Sequence, residues 1–319
     1  MSQSTQTLHD HLDAYLSVRE ALGFQMRAER TLLREFVRFA VSHGDGGPLR
    51  AQLAVDWAST SSAQRGRRSA AQRLSMVRGF LTYLRASLPE TEIPPRGLVA
   101  AFRRPQPYLL TPPQISRLIT AAQQSGPVGM LRPATLATCI GLLASTGLRV
   151  GEALHLTMQD VHLEATPAVL DIRETKFHKS RVVPLHPTTV GPLRHYTALR
   201  STLGSATLSE RFLVSEQGGP LTYGLLRRGF LAVCHTVGLG PTDGGQRPNL
   251  RALRHSFAIQ RMRLWYEEGR DVRTLLPHLS VYLGHVRPQE SYWYLTATPE
   301  LLVAAAERFR VYATQGGIA

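Results

Sequence analysis

Cysteine is almost absent from this chain of 319 residues, which contains only Cys139 and Cys234. Neither cysteine belongs to a CxxC pair or to a spacing typical of zinc ligands, so the sequence offers neither a disulfide framework nor a zinc site. This usage is typical of proteins in a reducing compartment. We therefore expect a cytoplasmic protein.

Long apolar runs are also missing. The most apolar stretch, residues 134–150, is interrupted by Thr135, Thr138, Ser145 and Thr146 and is too short to span a bilayer. The N-terminus, MSQSTQTLHDHLD, has no apolar core of the kind found in secretion signals. Both observations favour a cytoplasmic location and argue against a membrane partner.

Acidic residues are scarce relative to basic ones. The chain has 23 acidic against 37 basic side chains, a formal net charge of +14. The excess is shared between residues 1–107, with 15 basic and 9 acidic side chains (+6), and residues 108–319, with 22 and 14 (+8). A polyanion such as DNA is the expected partner, and both halves of the chain should face it.

Lysine is the scarcest basic residue. Only Lys176 and Lys179 are lysines, and the other 35 basic side chains are arginines. An ammonium can give up its proton near neutral pH, whereas a guanidinium cannot. The two lysines are either chance survivors of an arginine-rich composition or, as we prefer, include a proton donor.

The N-terminal part has the periodicity of four helices, of which the last is predicted over residues 63–87. This helix carries six arginines and no acid: Arg65, Arg67, Arg68, Arg73, Arg78 and Arg85. Such a pattern fits either a solvated face or a surface that contacts DNA phosphates. We predict DNA contacts for Arg65, Arg67, Arg68 and Arg73.

A proline-rich basic span, residues 88–108, follows these helices and is typical of a linker between domains. We place the domain boundary there, which gives a helical domain over residues 1–106 and a second domain over residues 107–319. The first domain shows no catalytic constellation, so we expect it to bind DNA.

The second domain is predicted to be mainly helical with a small β-hairpin. An apolar helix, residues 134–145, should end at Gly147, and Arg149 follows directly. A salt bridge to Glu152 is the alternative to anion binding for Arg149, and the two are compatible. Two short β-type runs, at residues 169–173 and 181–185, flank a hairpin tip that carries Lys176 and Lys179.

The stretch from residue 250 to residue 294 concentrates reactive side chains. Arg251, Arg254 and His255 have the spacing of one helical face. His285 follows a glycine that we expect to open a further helix, and Tyr294 lies nine residues beyond His285. A phenol near paired arginines suits attack on a phosphodiester, and Tyr292 is the alternative nucleophile.

Four boxes in this order, TGLRVGEAL, TKFHKSRVVPL, LRALRHSFA and LGH with a tyrosine nine residues later, resemble the tyrosine recombinase or phage integrase family. The resemblance covers residues 108–305, and the ending YWYLTATPELL is most similar to integrases of bacterial mobile elements, including those encoded in recombinase trios. It implies a two-domain C-clamp, with a helical core-binding domain and an α/β catalytic domain.

The resemblance also implies a reaction that needs no metal or other cofactor, and it implies the roles of the site residues. Arg149 and Arg254 would hold the scissile phosphate, Tyr294 would attack it, Lys176 would protonate the leaving oxygen and His285 would hydrogen-bond the phosphate. The implied catalytic set is Arg149, Lys176, Arg251, Arg254, His285 and Tyr294, and Lys179 joins the DNA-binding residues. The C-terminal helix, residues 299–309, would dock on a neighbouring subunit or on its own domain.

One position departs from the family pattern. Arg251 stands where the family usually has a histidine, and arginine cannot accept the proton of the tyrosine. Either the cationic field alone ionises the phenol, or His255 or His285 takes the proton, or the protein is slow. We interpret His255 as a structural side chain that caps or packs.

The leading hypothesis is a site-specific recombinase that acts on double-stranded DNA sites through a 3′-phosphotyrosyl intermediate and a Holliday junction. A dimer or homo-tetramer on DNA, with sister recombinases as further partners, is the expected assembly. The alternatives are a chromosome-resolving recombinase or type IB topoisomerase, and a non-catalytic DNA-binding accessory protein.

Overall fold

The computed structural model describes residues 7–44, 47–65, 67–98, 106–127, 129–173, 180–202, 208–285, 291–292, 294, 306 and 310, without the side chains of residues 27–28 and 61–69. The described residues form two compact units, Met1–Pro105 and Gln106–Ala319. Both are mainly helical, and the second also contains a small sheet. The expected fold class is therefore confirmed.

Unit 1 contains four described helices around one apolar core. They are α1 (Leu8–Ala21), α2 (Arg27–His43), α3 (Ala51–Arg65) and α4 (Arg67–Leu84). The Thr7 side chain caps α1 in a capping box with Asp10. The core consists of inward side chains of all four helices, among them Phe36, Trp57 and Phe80.

The prediction of a single helix over residues 63–87 is wrong at its N-terminal end. The third helix runs on to Arg65, and α4 begins only at Arg67. Gly66 separates them in the sequence, and glycine costs about 1 kcal/mol in a helix relative to alanine, which favours a break there. Arg65 therefore belongs to α3 rather than to the same helix as Arg73.

Two of the arginines predicted on that helix have structural partners within unit 1. Arg73 is 3% exposed, donates to Glu35 Oε2 at 2.8 Å and lies over the Trp57 ring at 4.5 Å. Arg78 donates to the carbonyl oxygens of Pro94 and Pro95. The DNA contact expected for Arg73 is thus not supported, because its guanidinium is buried in the domain.

Unit 2 contains seven described α-helices and a three-stranded sheet. The helices are α5 (Pro112–Gln123), α6 (Leu131–Thr146), α7 (Val150–His155), α8 (Pro187–Ser201), α9 (Tyr223–Thr236), α10 (Arg251–Glu267) and α11 (Val272–Leu283). Thr111 caps α5 and Pro112 opens it. Apolar α6 is the central helix, and α5, α8 and α10 pack against it.

The sheet is antiparallel in the order β1–β2–β3. Its strands are β1 (Val161–His162), β2 (Val169–Ile172) and β3 (Arg181–Pro184). The pairing of Leu170 with Val183 fixes the register of the hairpin. The hairpin was predicted, whereas β1 was not, because a strand of two residues has no detectable periodicity.

Helix α11 was not delimited by the sequence patterns. Gly284 adopts φ +68° and ends α11. The residues that directly follow His285, where we expect a further helix to begin, lie outside the described residues. The C-terminal helix expected at residues 299–309 lies almost wholly outside the described residues. Among the helices of the described ranges, none has the length and apolar character needed to cross a membrane.

Candidate active site

Three arginines from distant parts of unit 2 converge on the C-terminal end of α11. The hydrogen bonds, each of 2.8 Å, run from Arg181 Nε to Tyr282 O, from Arg254 Nη2 to Leu283 O and from Arg149 Nη2 to Gly284 O. The last carbonyls of a helix have no partner within it and carry the negative end of the helix dipole. The carbonyls at the end of α11 therefore hold three guanidiniums close together.

Two glycines with positive φ make this convergence possible. Gly147, with φ +63°, ends α6, and its carbonyl accepts from Arg254 Nη1 at 2.8 Å. A Cβ on Gly147 would lie 2.5 Å from a Phe257 ring carbon, and one on Gly284 would lie 2.7 Å from Arg181 Nη1. Both turns need glycine, because any side chain would separate the packed elements.

The carboxylate of Glu152 joins two of the arginines. Arg149 Nη1 donates to Oε1 at 2.8 Å, and the Arg149 backbone N donates to Oε2 at 2.9 Å. Arg181 reaches both carboxylate oxygens, at 3.1 and 2.8 Å. The salt bridge considered for Arg149 exists, and it holds Arg149 and Arg181 in fixed positions.

The Glu152 side chain is 7% exposed. Burial alone would raise the pKa of this carboxyl, but hydrogen bonds and charges from Arg181 and Arg149 outweigh burial and leave the pKa below its ordinary value of 4.5. The charged carboxylate thus contributes stability at neutral pH. This contribution is lost as the pH falls below 4.5 toward the folded-state pKa.

We expect Glu152→Gln to lower the free energy of unfolding by about 3–5 kcal/mol at pH 7, because it removes one partner of a buried ion pair and turns an amide NH₂ toward a guanidinium. Thermal or urea unfolding measures the loss. The difference from the unsubstituted protein should shrink as the pH falls below 4.5, where Glu152 itself becomes protonated.

Glu164→Gln is the matched control. Glu164 also pairs with an arginine, Arg194, but its side chain is 83% exposed. Such a surface pair contributes at most about 1 kcal/mol. Equal losses for the two variants would contradict the proposed role of Glu152.

Arg254 is the most deeply buried of the three arginines, with 8% exposure. Burial, and then the neighbouring Arg149 cation, lowers the pKa of Arg254 to about 10, so the guanidinium stays charged at pH 7. The side chains of Arg149, Arg181, Arg254 and Glu152 together carry three positive charges and one negative charge. This excess of +2 favours an anion beside them.

His285 follows the Gly284 turn and is fixed by two serines. Its backbone N donates to Ser280 O at 2.9 Å, and its Nδ1 hydrogen-bonds Ser291 Oγ at 2.6 Å. Ser291 is fully buried and accepts from Ser280 Oγ at 2.6 Å. With Nδ1 engaged in this chain of hydrogen bonds, the orientation of the His285 ring is set.

Tyr294 lies beside these groups. Its ring is 2% exposed in an apolar cluster with side chains of α10 and α11, and its hydroxyl hydrogen-bonds His255 Nδ1 at 3.1 Å. The charge of a Tyr294 phenolate would raise the pKa of Arg254, so the hydroxyl is electrostatically close to that guanidinium. The ring of His285 lies nearly parallel to the tyrosine ring, at 16°.

The structure therefore brings together Arg149, Arg254, His285 and Tyr294 of the predicted set. Arg251 begins α10 and is exposed. Lys176 and Lys179 lie outside the described residues, as do the side chains of Arg65, Arg67 and Arg68. Tyr292, the alternative nucleophile, is 50% exposed.

Sequence reasoning missed two members of this cluster, because Arg181 was interpreted only as part of a strand and Ser291 was not singled out. His255 was interpreted as structural, with uptake of the tyrosine proton as an alternative. Arg181 has no detectable signal in the sequence, because its partners, Glu152 and Tyr282, are far from it along the chain. Within the described part of the chain, no group of three or more His, Cys, Asp or Glu side chains could hold a metal ion.

The model of the phage integrase family matches residues 109–300. Over 309 residues, the chain is 38% identical to a putative integrase/recombinase, y4rB, of Sinorhizobium fredii, covering 95% of this chain and 96% of that protein. All of the residues that lie together at the end of α11 are within the range 109–300 that the family model matches.

Two solved structures share the fold. The XerH site-specific recombinase bound to palindromic difH substrate, in a post-cleavage complex, aligns with a TM-score of 0.68 and 18% identity over 95% of this chain and 84% of that chain. The lambda integrase tetramer bound to a Holliday junction aligns with a TM-score of 0.62 and 20% identity over 91% of this chain and 80% of that chain.

Proposed function

The chain belongs to the phage integrase family, and we propose that it is an active site-specific DNA recombinase that cleaves and rejoins DNA through Tyr294. The observation that carries this proposal is the convergence of Arg149 and Arg254 on one end of α11, with the Tyr294 hydroxyl hydrogen-bonded to His255, the residue that follows Arg254. Convergent guanidiniums with a phenol at their side suit phosphoryl transfer.

Arg149 and Arg254 hold the two non-bridging oxygens of the scissile phosphate in this mechanism. Each guanidinium uses part of its five N–H groups for the backbone of α11 and offers the others to the anion. Because both are anchored before DNA binds, little reorganisation is needed as charge grows in the pentacoordinate transition state. His285, whose ring is oriented by its Ser291 contact, adds a hydrogen bond to the phosphate.

Cleavage proceeds by attack of the Tyr294 oxygen on phosphorus. The new oxygen–phosphorus bond forms as the bond to the 5′ oxygen breaks, which leaves a 3′-phosphotyrosyl link and a 5′-hydroxyl. Lys176 supplies the proton that the 5′ oxygen takes up, a task for which arginine is a poor substitute. The phosphotyrosine conserves the bond for religation, so neither metal nor nucleotide enters the scheme.

The proposed substrate is a pair of double-stranded DNA recombination sites. XerH is bound to difH substrate and lambda integrase forms a tetramer on a Holliday junction. By analogy, we propose a dimer or homo-tetramer on DNA, a Holliday-junction intermediate and, for a mobile element, sister recombinases as partners. The net charge of +14 suits this partner and predicts binding that weakens steeply with salt.

A covalent-trapping assay tests the proposal. Short duplexes are tiled across the DNA that flanks the gene, each nicked so that the strand released by cleavage diffuses away and cannot be rejoined. The protein should then remain attached to DNA on a denaturing gel, with the link on Tyr294 by peptide mapping. Binding without an adduct on any duplex would contradict catalysis.

That negative outcome would favour the second candidate, a DNA-binding accessory protein. The observation on its side is Arg251, a residue that cannot act as a base, at the position where the family usually has a histidine. The topoisomerase alternative predicts relaxation of supercoiled DNA by the protein alone, whereas a recombinase should require two paired sites.

Ser291→Ala should slow adduct formation about fivefold, because the loss of one buried hydrogen bond costs about 1 kcal/mol and frees the His285 ring to turn. Initial rates of trapping on a cleaved duplex measure the effect. Ser280→Ala, which keeps the Ser291–His285 bond, is the control and should have a smaller effect. Equal rates for Ser291→Ala and the unsubstituted protein would exclude this role for Ser291.

A further inference from the structure

His255 makes a contact that the sequence did not predict. The residue lies on α10 immediately after Arg254, and its Nδ1 is 3.1 Å from the Tyr294 hydroxyl, with which it shares a hydrogen bond. The two ring centroids are 5.6 Å apart. A side chain that merely packed or capped α10 would have no reason to engage the hydroxyl of this tyrosine.

Attack by Tyr294 requires an acceptor for its phenolic proton. A phenol has an ordinary pKa near 10, so at neutral pH the hydroxyl is protonated until a base takes the proton. Arg251, one helical turn before His255, is exposed and has no basic nitrogen to offer. The acceptor must therefore come from elsewhere in the site.

His255 is better placed for this task than His285. The Nδ1 of His285 bonds Ser291, and its ring plane lies 16° from that of Tyr294 at a centroid distance of 6.2 Å. The Nδ1 of His285 therefore already has a partner other than the tyrosine hydroxyl. His255 is inclined by 58° to the Tyr294 ring and directs Nδ1 at the oxygen.

We propose that His255 is the general base of the reaction. This inference rests on the proposed function and names the proton acceptor of that same site. As the Tyr294 oxygen bonds to phosphorus, its proton passes to Nδ1 of a neutral His255, which becomes an imidazolium. In the rejoining step, the 5′-hydroxyl attacks phosphorus and gives its proton back to Lys176, while the imidazolium returns the other proton to the departing Tyr294 oxygen.

His255→Asn tests this role, because the amide can place an oxygen near the position of Nδ1 but cannot take up a proton. Two reactions are compared. The first is adduct formation on a nicked duplex, which needs the base. The second is joining of a 5′-hydroxyl strand to a strand with a 3′-p-nitrophenyl phosphate, whose leaving phenolate needs no proton.

We expect His255→Asn to slow adduct formation by ~10²-fold and to leave the p-nitrophenyl joining rate within about threefold of the unsubstituted protein. A merely structural role would slow both reactions together, and that result would overturn the proposal. Adduct formation at an undiminished rate would overturn it as well. His278→Asn, on the exposed face of α11, is the matched control and should change neither rate.

Two further variants keep the test decisive if His255→Asn folds poorly. In His255→Ala, imidazole from solution should restore adduct formation in a concentration-dependent manner, and failure to do so counts against His255. Adding Arg251→His to His255→Asn should also recover activity, since it supplies a base one turn away. If the unsubstituted protein forms no adduct but performs the p-nitrophenyl joining, the proposed function fails and not the proton path alone.

Discussion

Tyr294→Phe is expected to abolish covalent attachment to DNA while DNA binding is retained. The change removes one oxygen atom from a ring that is 2% exposed among side chains of α10 and α11. The phenylalanine ring fills the same space, so the fold should be kept, with a loss of at most about 1–2 kcal/mol for the hydrogen bond to His255. Without the hydroxyl no phosphotyrosine can form.

The measurement combines covalent trapping on a nicked duplex with a gel-shift titration on the same duplex. Tyr292→Phe is the matched control, because Tyr292 lies two residues away and is 50% exposed. It should form the adduct at the rate of the unsubstituted protein. The opposite pattern, an adduct lost in Tyr292→Phe and kept in Tyr294→Phe, would overturn the assignment of the nucleophile.

Arg254→Lys is expected to slow adduct formation by ~10²–10³-fold, the usual cost of removing one preorganised stabiliser of a transition-state anion. The substitution keeps the positive charge, so its effect isolates geometry. A lysine cannot span the Gly147 and Leu283 carbonyls and also meet a phosphate, because it lacks the planar fork of the guanidinium.

Arg263→Lys is the control for this prediction. Arg263 lies on the same helix, is 45% exposed and pairs only with Glu267 among the described residues. This variant should retain full activity, and both variants should bind DNA with similar affinity at equal salt. If Arg254→Lys cleaved within tenfold of the unsubstituted protein, Arg254 would serve to hold α6 and α11 together rather than to stabilise the phosphate.

The buried arginines show how one residue type serves different ends. Arg73 and Arg254 are both less than a tenth exposed, yet Arg73 meets the Glu35 carboxylate and the Trp57 ring, while Arg254 meets only carbonyl oxygens among the partners described. The Glu35 carboxylate balances the charge of Arg73. The charge of Arg254 lies beside another cation, Arg149, and this arrangement favours the binding of an external anion.

The sequence by itself determined the family, the fold class and the order of the site residues along the chain. Periodicity indicated the four helices of unit 1 and the apolar helix α6, and Gly147 marked the end of α6. These features are local: a cap, a turn or a helical face is specified by residues within a few positions of one another. Local chemistry is therefore what a single sequence reveals best.

Only the tertiary structure decided which side chains meet. Arg149 and Arg254 bond carbonyls 135 and 29 residues away in the chain, and His255 reaches a tyrosine 39 residues further on. Periodicity indicates which face of a helix a residue occupies but not which element covers that face. For the same reason, the sequence did not reveal the role of Arg181 or the burial of Arg73. The identity of an arginine does not show whether its guanidinium lies in water, in a salt bridge or at the end of a helix.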